Sequence, residues 1–434
     1  VDVPRRRPGR MNGSAPDREF TLDYDPGEIW FGRGAARDLG DLLASRGLAS
    51  ALVVTGENVG ANRDAMGPVE DGLGDALVSV FDQTTPAKTL GTALRAAREV
   101  HESGAEAIVA VGSGSTLDTA KVASALGSYA EPSAAAEHAL DSGTVPVADD
   151  GRPTPVIAVP TTLAGADLSV IGGVGLTLDP DADPGEIDSG GVSDRRLMPT
   201  ALCYDPELFE TTPRSVLTAS AMNGFDKAVE CLYSPHATPI TDGTASRGLA
   251  LMQSGFGALA EDDPDPEQFD DAVAGVVCAQ YGISTPGAYR ASIVHAFGHG
   301  FSNDYDAHQG TVHGVLAPHV LRYVFSEIDG RRGLIADALG VATAGMDGDG
   351  GVAGTQSAGD DEGVAGTQSA GDDELAEAVV DAVAGVRDDL GLPSRLREID
   401  GLEREHLPDI AETIHDDSLL AEAPVQPSVA EIED

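Results

Sequence analysis

Lysine is almost missing from this chain. Its 434 residues hold three, Lys88, Lys121 and Lys227, so arginine supplies nearly all of the 27 basic side chains. Against these stand 72 acidic residues, giving a formal net charge of −45 at pH 7. Such an excess of carboxylates argues against nucleic acid or an anionic membrane as partner. It also repels itself unless salt screens it, and at molar salt the Debye length shrinks to about 3 Å. The composition therefore points to a salt-rich cytoplasm, that is, a halophilic adaptation. Cysteine is equally scarce: Cys203, Cys231 and Cys278 are too few and too scattered for a disulfide framework or a zinc ribbon, and they suit a reducing compartment. No run of eighteen apolar residues suggests a membrane span. Aromatic residues make up only 4% of the chain, yet 41% of it is apolar, enough for two domains with substantial cores.

Residues 1–19 contain Arg5, Arg6, Arg7 and Arg10 but no apolar segment. They read as a flexible extension, not a secretory signal, and Met11 is an equally good start. From 20 to 210, short β-type runs at 51–55, 107–111 and 155–159 alternate with helical patterns such as 90–104. That rhythm predicts an α/β, Rossmann-like dinucleotide-binding domain with a parallel sheet. Beyond it, Ala- and Leu-rich segments at 214–233, 244–260, 270–283 and 374–390 predict an all-α helical catalytic domain over 211–434. Within that domain the twelve residues 351–362 recur unchanged at 363–374. Rich in Gly, Ser and Asp, the stretch 346–374 reads as a flexible surface insertion. A calcium-binding repeat is the alternative, but its acids lie in one short cluster and not at alternating ligand positions.

Three motifs carry chemistry. The strand at 107–111 runs into Gly112, Ser113, Gly114 and Ser115, with Asp118 and Lys121 in the helix that follows. Small residues and the free amides of a helix start favour a pyrophosphate. A second strand is followed by Thr161 and Thr162, whose hydroxyls would lie at the carboxyl edge of the sheet as donors to phosphate or ribose; a simple capped turn is the other reading. Third, five of the ten histidines fall between His295 and His319, namely His295, His299, His308, His313 and His319. The first two are spaced i, i+4, so one helix face presents both imidazoles for metal binding or proton handling.

Taken together, these motifs resemble the iron-containing (group III) alcohol dehydrogenase superfamily. The likeness runs from 29–34 through 112–121, 160–165 and 221–234 to 295–319, and its wording is most similar to the maleylacetate reductase branch. The resemblance implies hydride transfer between NAD or NADP and a small-molecule substrate, in a cleft between the two domains. It further implies a homodimer or higher homo-oligomer. The family's four metal ligands are an Asp and a His one helical turn apart, then two later His; aligned on Glu230, these fall on Asn223, Lys227, His295 and His308. Two histidines alone hold Fe²⁺ or Zn²⁺ weakly, and an ammonium at a ligand position repels it. The expectation is therefore a metal-independent reductase of a carbonyl or enone. In it Lys227 polarises the substrate oxygen, Asn223 orients the substrate and His299 relays the proton.

Two other classes stay open. One is a metal-dependent alcohol dehydrogenase binding Fe or Zn through His295 and His308 with Asn223 or Asp226. The other is a nucleotide-binding relative without turnover. Arg196 and Arg290 are candidates for a substrate carboxylate, though surface salt pairing is the favoured reading of each. At the ribose, Gly56 stands where NAD-preferring relatives often carry an Asp; that admits NADP, while Glu57 could substitute for the missing carboxylate.

Overall fold

The computed structural model describes residues 27–180, 182, 187–283, 291–302, 305, 307–341 and 365–433. Its strands are β1 (Glu28–Phe31), β2 (Ala51–Gly56), β3 (Leu77–Thr84), β4 (Ala107–Gly112), β5 (Val156–Pro160), β6 (Ile171–Gly175), β7 (Ser189–Ser193) and β8 (Ala201–Tyr204). Six of them make one sheet in the order β1-β8-β5-β4-β2-β3, with every pairing parallel. The residues of β4 and β5 are all buried, as continuous apolar runs are when helices cover both faces of a sheet. The separate antiparallel pair of β6 and β7 escapes sequence reading because both strands are glycine-rich, Ile-Gly-Gly-Val-Gly and Ser-Gly-Gly-Val-Ser.

The chain leaves β2 toward β3 on one side of the sheet and leaves β4 toward β5 on the other. Their carboxyl ends therefore part at a topological switch point, where open α/β sheets hold ligands. The Thr55 hydroxyl pins the two ends together by donating to the Val111 carbonyl at 2.7 Å. Helices α1 (Leu90–Ser103) and α2 (Gly114–Gly127) pack on each other and on the central strands.

Past Tyr204 the described residues hold helices and no strand, which matches the expected fold class. The longer ones are α3 (Arg214–Tyr233), α4 (Pro239–Leu259), α5 (Pro266–Ile283), α6 (Ile293–Ser302), α7 (Gln309–Glu327), α8 (Ala365–Asp389) and α9 (Leu407–His415). Helix α3 is their hub: it packs against α4, α5, α6 and α7, so it is buried nearly all round. Helix α4 begins five residues before the expected start, because Thr238 and Thr241 form a reciprocal capping box with Pro239 at the first helical position. Helix α8 also starts early, at Ala365, so most of the second copy of the twelve-residue repeat is helical and not loop. Residues 342–364 and the expected extension at 1–19 lie outside the described residues. No described helix is long and apolar enough to cross a membrane.

Candidate active site

Strand β4 ends at Gly112 with φ +149°, and a Cβ there would stand 2.8 Å from the Thr116 hydroxyl. Glycine suits this turn on both counts. Ser113 then caps α2 without a side-chain capping bond, its hydroxyl lying 2.9 Å from that of Ser115. A fourteen-residue helix that opens with small residues at a switch point fits a pyrophosphate. Gly112, Ser113, Gly114 and Ser115 all lie in this turn, at the end of β4 and the start of α2. Gly56 and Glu57 stand at the end of β2, the neighbouring strand.

Asp118 and Lys121 behave differently. Asp118 pairs with Lys88 at 3.0 Å. The Lys121 ammonium is fully buried and donates to the carbonyls of Ala166 at 2.5 Å and Ile171 at 2.9 Å. Burial lowers its pKa to about 8, against the opposing pull of Asp118 and Asp167. Its expected contact with a cofactor is therefore corrected: in this structure Lys121 holds the loop that follows β5.

That loop is tied to both halves of the molecule. The Thr161 amide donates to the Gly112 carbonyl at 3.0 Å, and the Thr161 carbonyl accepts from the Thr212 hydroxyl at 2.7 Å. The Leu163 amide donates to Ser220 at 3.0 Å, the Ala164 carbonyl accepts from Lys227 at 2.6 Å, and Asp167 accepts from the Tyr204 hydroxyl. Thr161 and Thr162 are both buried, so they carry the backbone across the sheet edge.

Asn223, Lys227 and Glu230 lie at i, i+4 and i+7 and share one stripe of α3. The Glu230 carboxylate is fully buried and accepts from the Tyr233 hydroxyl (2.9 Å), the Ser292 amide (2.9 Å) and hydroxyl (3.3 Å), the Val294 amide (2.8 Å) and His295 Nδ1 (2.6 Å). Because a carboxylate only accepts, His295 carries its proton on Nδ1, and its Nε2 is left as a buried lone pair without a partner. Burial holds the His295 pKa well below the ordinary histidine value, so the ring stays neutral; Lys227 and His299 are near enough to act in the same direction.

Helix α7 changes the expected assignment of the fourth position. His308 precedes the helix as an exposed N-cap residue. Gly310 is what lets α7 approach α3, since a Cβ there would fall 1.8 Å from the Ala219 carbonyl oxygen. This close approach delivers Gln309, whose Oε1 accepts from Asn223 Nδ2 at 3.0 Å. Gln309, not His308, completes the group. Asp226 does not join it either: a shift of one position rotates a helical side chain by about 100°. Asp226 instead lies 3.2 Å from the fully buried His313. Burial pushes the Asp226 carboxyl well up and His313 down to about 3, so each is shifted toward its neutral form. The His313 ring stands edge-on to His295, with centroids 4.6 Å apart.

A divalent cation would meet two amides bonded to each other, an ammonium, and one imidazole nitrogen. That donor set does not fit iron or zinc. Nor is any group of three or more His, Cys, Asp or Glu side chains among the described residues arranged to hold a metal ion. Lys227 is half-buried, and its bond to Ala164 uses one of three N–H donors. The side chain of His299 is 40% exposed, with Nδ1 2.8 Å from Asp417 Oδ2.

Of the two readings of Arg196, surface pairing is the one the structure shows. Its guanidinium is taken up by Asp194 at 3.0 and 2.8 Å and by the carbonyls of Ala148 and Gly151. Arg290 lies outside the described residues. Sequence reasoning missed the roles of Glu230, Gln309 and Asp417. For Glu230 a signal existed, since an acid flanked in sequence by Val229, Cys231 and Leu232 in a mostly apolar helix must find partners when buried. Gly310 was the signal for Gln309. Asp417 is one acid among 72, 118 positions from its histidine, and had none.

Comparison with known proteins agrees with this architecture. The iron-containing alcohol dehydrogenase family model matches residues 26–206, and the C-terminal model of the same family matches 217–434. A maleylacetate reductase of Pseudomonas aeruginosa is 28% identical over 327 residues, covering 74% of this chain and 80% of that protein. Among solved structures, maleylacetate reductase from Agrobacterium tumefaciens superposes with a TM-score of 0.71 at 20% identity, covering 96% of each chain. Sulfoacetaldehyde reductase from Bifidobacterium kashiwanohense, in complex with NAD⁺, gives 0.73 at 19% identity, covering 96% of this chain and 97% of that one. With both halves matched in order across nearly all of its described length, the chain belongs to the iron-containing alcohol dehydrogenase family and is an NAD(P)-dependent oxidoreductase.

Proposed function

We propose that this enzyme is a maleylacetate reductase-like member of the family that reduces a carbonyl or enone without a catalytic metal. Bound nicotinamide supplies the hydride. The observation that carries the reading is the Lys227 ammonium in place of a metal ligand, beside an Asn223–Gln309 amide pair. With two N–H donors to spare, Lys227 offers the positive charge that a cation would otherwise provide to an oxygen gaining negative charge. The Asn223 Oδ1 and His295 Nε2 atoms, both buried and unpartnered, supply acceptors that orient a hydroxyl or water. His299, open to solvent on one side and backed by a carboxylate on the other, handles the proton. The cofactor is held by Gly112, Ser113, Gly114 and Ser115, where the uncapped start of α2 takes the pyrophosphate.

The likeness to maleylacetate reductases supports an anionic enone acid as the substrate class. Oxidation of NADH and NADPH, followed in molar KCl with maleylacetate and with simple aldehydes, tests this. The expected result is a kcat/KM at least about ten-fold higher for the enone acid, equivalent to about 1.4 kcal/mol. Equal or better turnover of unfunctionalised aldehydes would overturn the substrate assignment.

A further inference from the structure

We infer that Asp417 is the positioning residue for His299, so that the C-terminal segment completes the active site. The inference rests on the proton-handling role proposed for His299. Two bonds fix the carboxylate: Oδ1 accepts the Leu419 amide at 2.8 Å, and Oδ2 meets His299 Nδ1 at 2.8 Å. Its side chain is 14% exposed against 40% for His299, so the acid stands behind the ring and the ring faces outward. The carboxylate only accepts, hence Nδ1 of His299 donates and Nε2 is the nitrogen left to exchange a proton with substrate. Asp417 in turn is held below the usual carboxylate range by its bonds to His299 and Leu419, which outweigh partial burial.

The segment that carries Asp417 is itself anchored around the site. Helix α9 packs on α6 with Ile410 and Ile414 buried. The His406 ring lies 4.6 Å from that of Tyr305, and Glu422 meets His236 at 2.8 Å. Asp417 therefore reaches His299 from a fixed frame and needs no loop rearrangement to do so. Besides Asp417, the titratable groups near the His299 ring are His295 and His313, both neutral in their burial, with Lys227 acting on those same two rings.

Asp417→Asn and Asp417→Ser test the inference, because each replacement keeps one side-chain oxygen to cap the turn at Leu419 and removes the second, charged carboxylate oxygen that accepts from His299. Full-length enzyme would be assayed for kcat, cofactor KM and solvent deuterium isotope effect, alongside His299→Asn and the double variant. The expected result is a fall in kcat of about 10–100-fold for each Asp417 variant, as for other residues that orient a functional imidazole, with cofactor KM unchanged and a larger isotope effect. The double variant should be no slower than His299→Asn alone. Losses that multiply in the double variant, or an unchanged kcat for Asp417→Asn while His299→Asn is slow, would overturn the positioning role and leave that of His299 standing. If His299→Asn is as fast as the parent enzyme, the proton-handling reading falls and takes this inference with it.

Discussion

Lys227→Met is expected to lower the kcat of carbonyl reduction by about 100- to 1,000-fold, the range typical of removing one electrostatic stabiliser from a transition state. The side chains are similar in length, so packing along α3 should survive while the charge and the donor to the Ala164 carbonyl are lost. Lys227→Arg should not rescue the rate, because a planar guanidinium cannot present the compact ammonium that fits beneath that carbonyl. The pH dependence follows from the same group. Burial, the leading influence, lowers the Lys227 pKa to about 8, with Asp167 pulling the other way. The ammonium is present below that pH and lost above it, so reduction should slow as pH rises through about 8. Steady-state kinetics with cofactor affinity measured in parallel is the check. A Met variant within about three-fold of the parent kcat, about 0.65 kcal/mol, would remove Lys227 from the mechanism.

The triple change Asn223→Asp, Lys227→His and Gln309→His is expected to create a metal site with His295. It would give three imidazoles and a carboxylate on α3, α6 and α7, a set that zinc and iron accept. Zinc affinity measured by calorimetry should rise by at least about 1,000-fold over the parent, about 4 kcal/mol. A companion variant carrying only Asn223→Asp and Lys227→His, with His308 as the remaining candidate, should gain far less, since His308 lies on the exposed N-cap and not against Asn223. Equal gains in both variants would contradict the placement of Gln309.

The contrast between His308 and Gln309 shows where sequence reading ran out. The central strands, α1 and α3 were legible because their apolar runs and periodicity coincide with burial on two faces. The Gly112 to Ser115 turn was legible as a break between strand and helix, because Gly and Ser clustered after an apolar β run mark a turn. Choosing among five clustered histidines needed the register of α7 against α3, and that register is set by one backbone contact at Gly310 that no periodicity records. Lys121 misled for a related reason: its spacing after the glycine turn suits a cofactor contact, but the β6–β7 pair closes over it and turns its ammonium inward. The early start of α8 was hidden by a Gly- and Asp-rich composition that local propensity disfavours in a helix.

Lys227 and its amide neighbours are proposed to stand in for a metal. The most direct test is elemental analysis of enzyme purified in molar KCl without added metal, paired with NAD(P)H oxidation before and after chelation. Near-zero iron and zinc are expected, with a rate that chelation leaves unchanged. About one iron or zinc per chain, with activity lost on chelation and restored by the metal, would contradict that proposal.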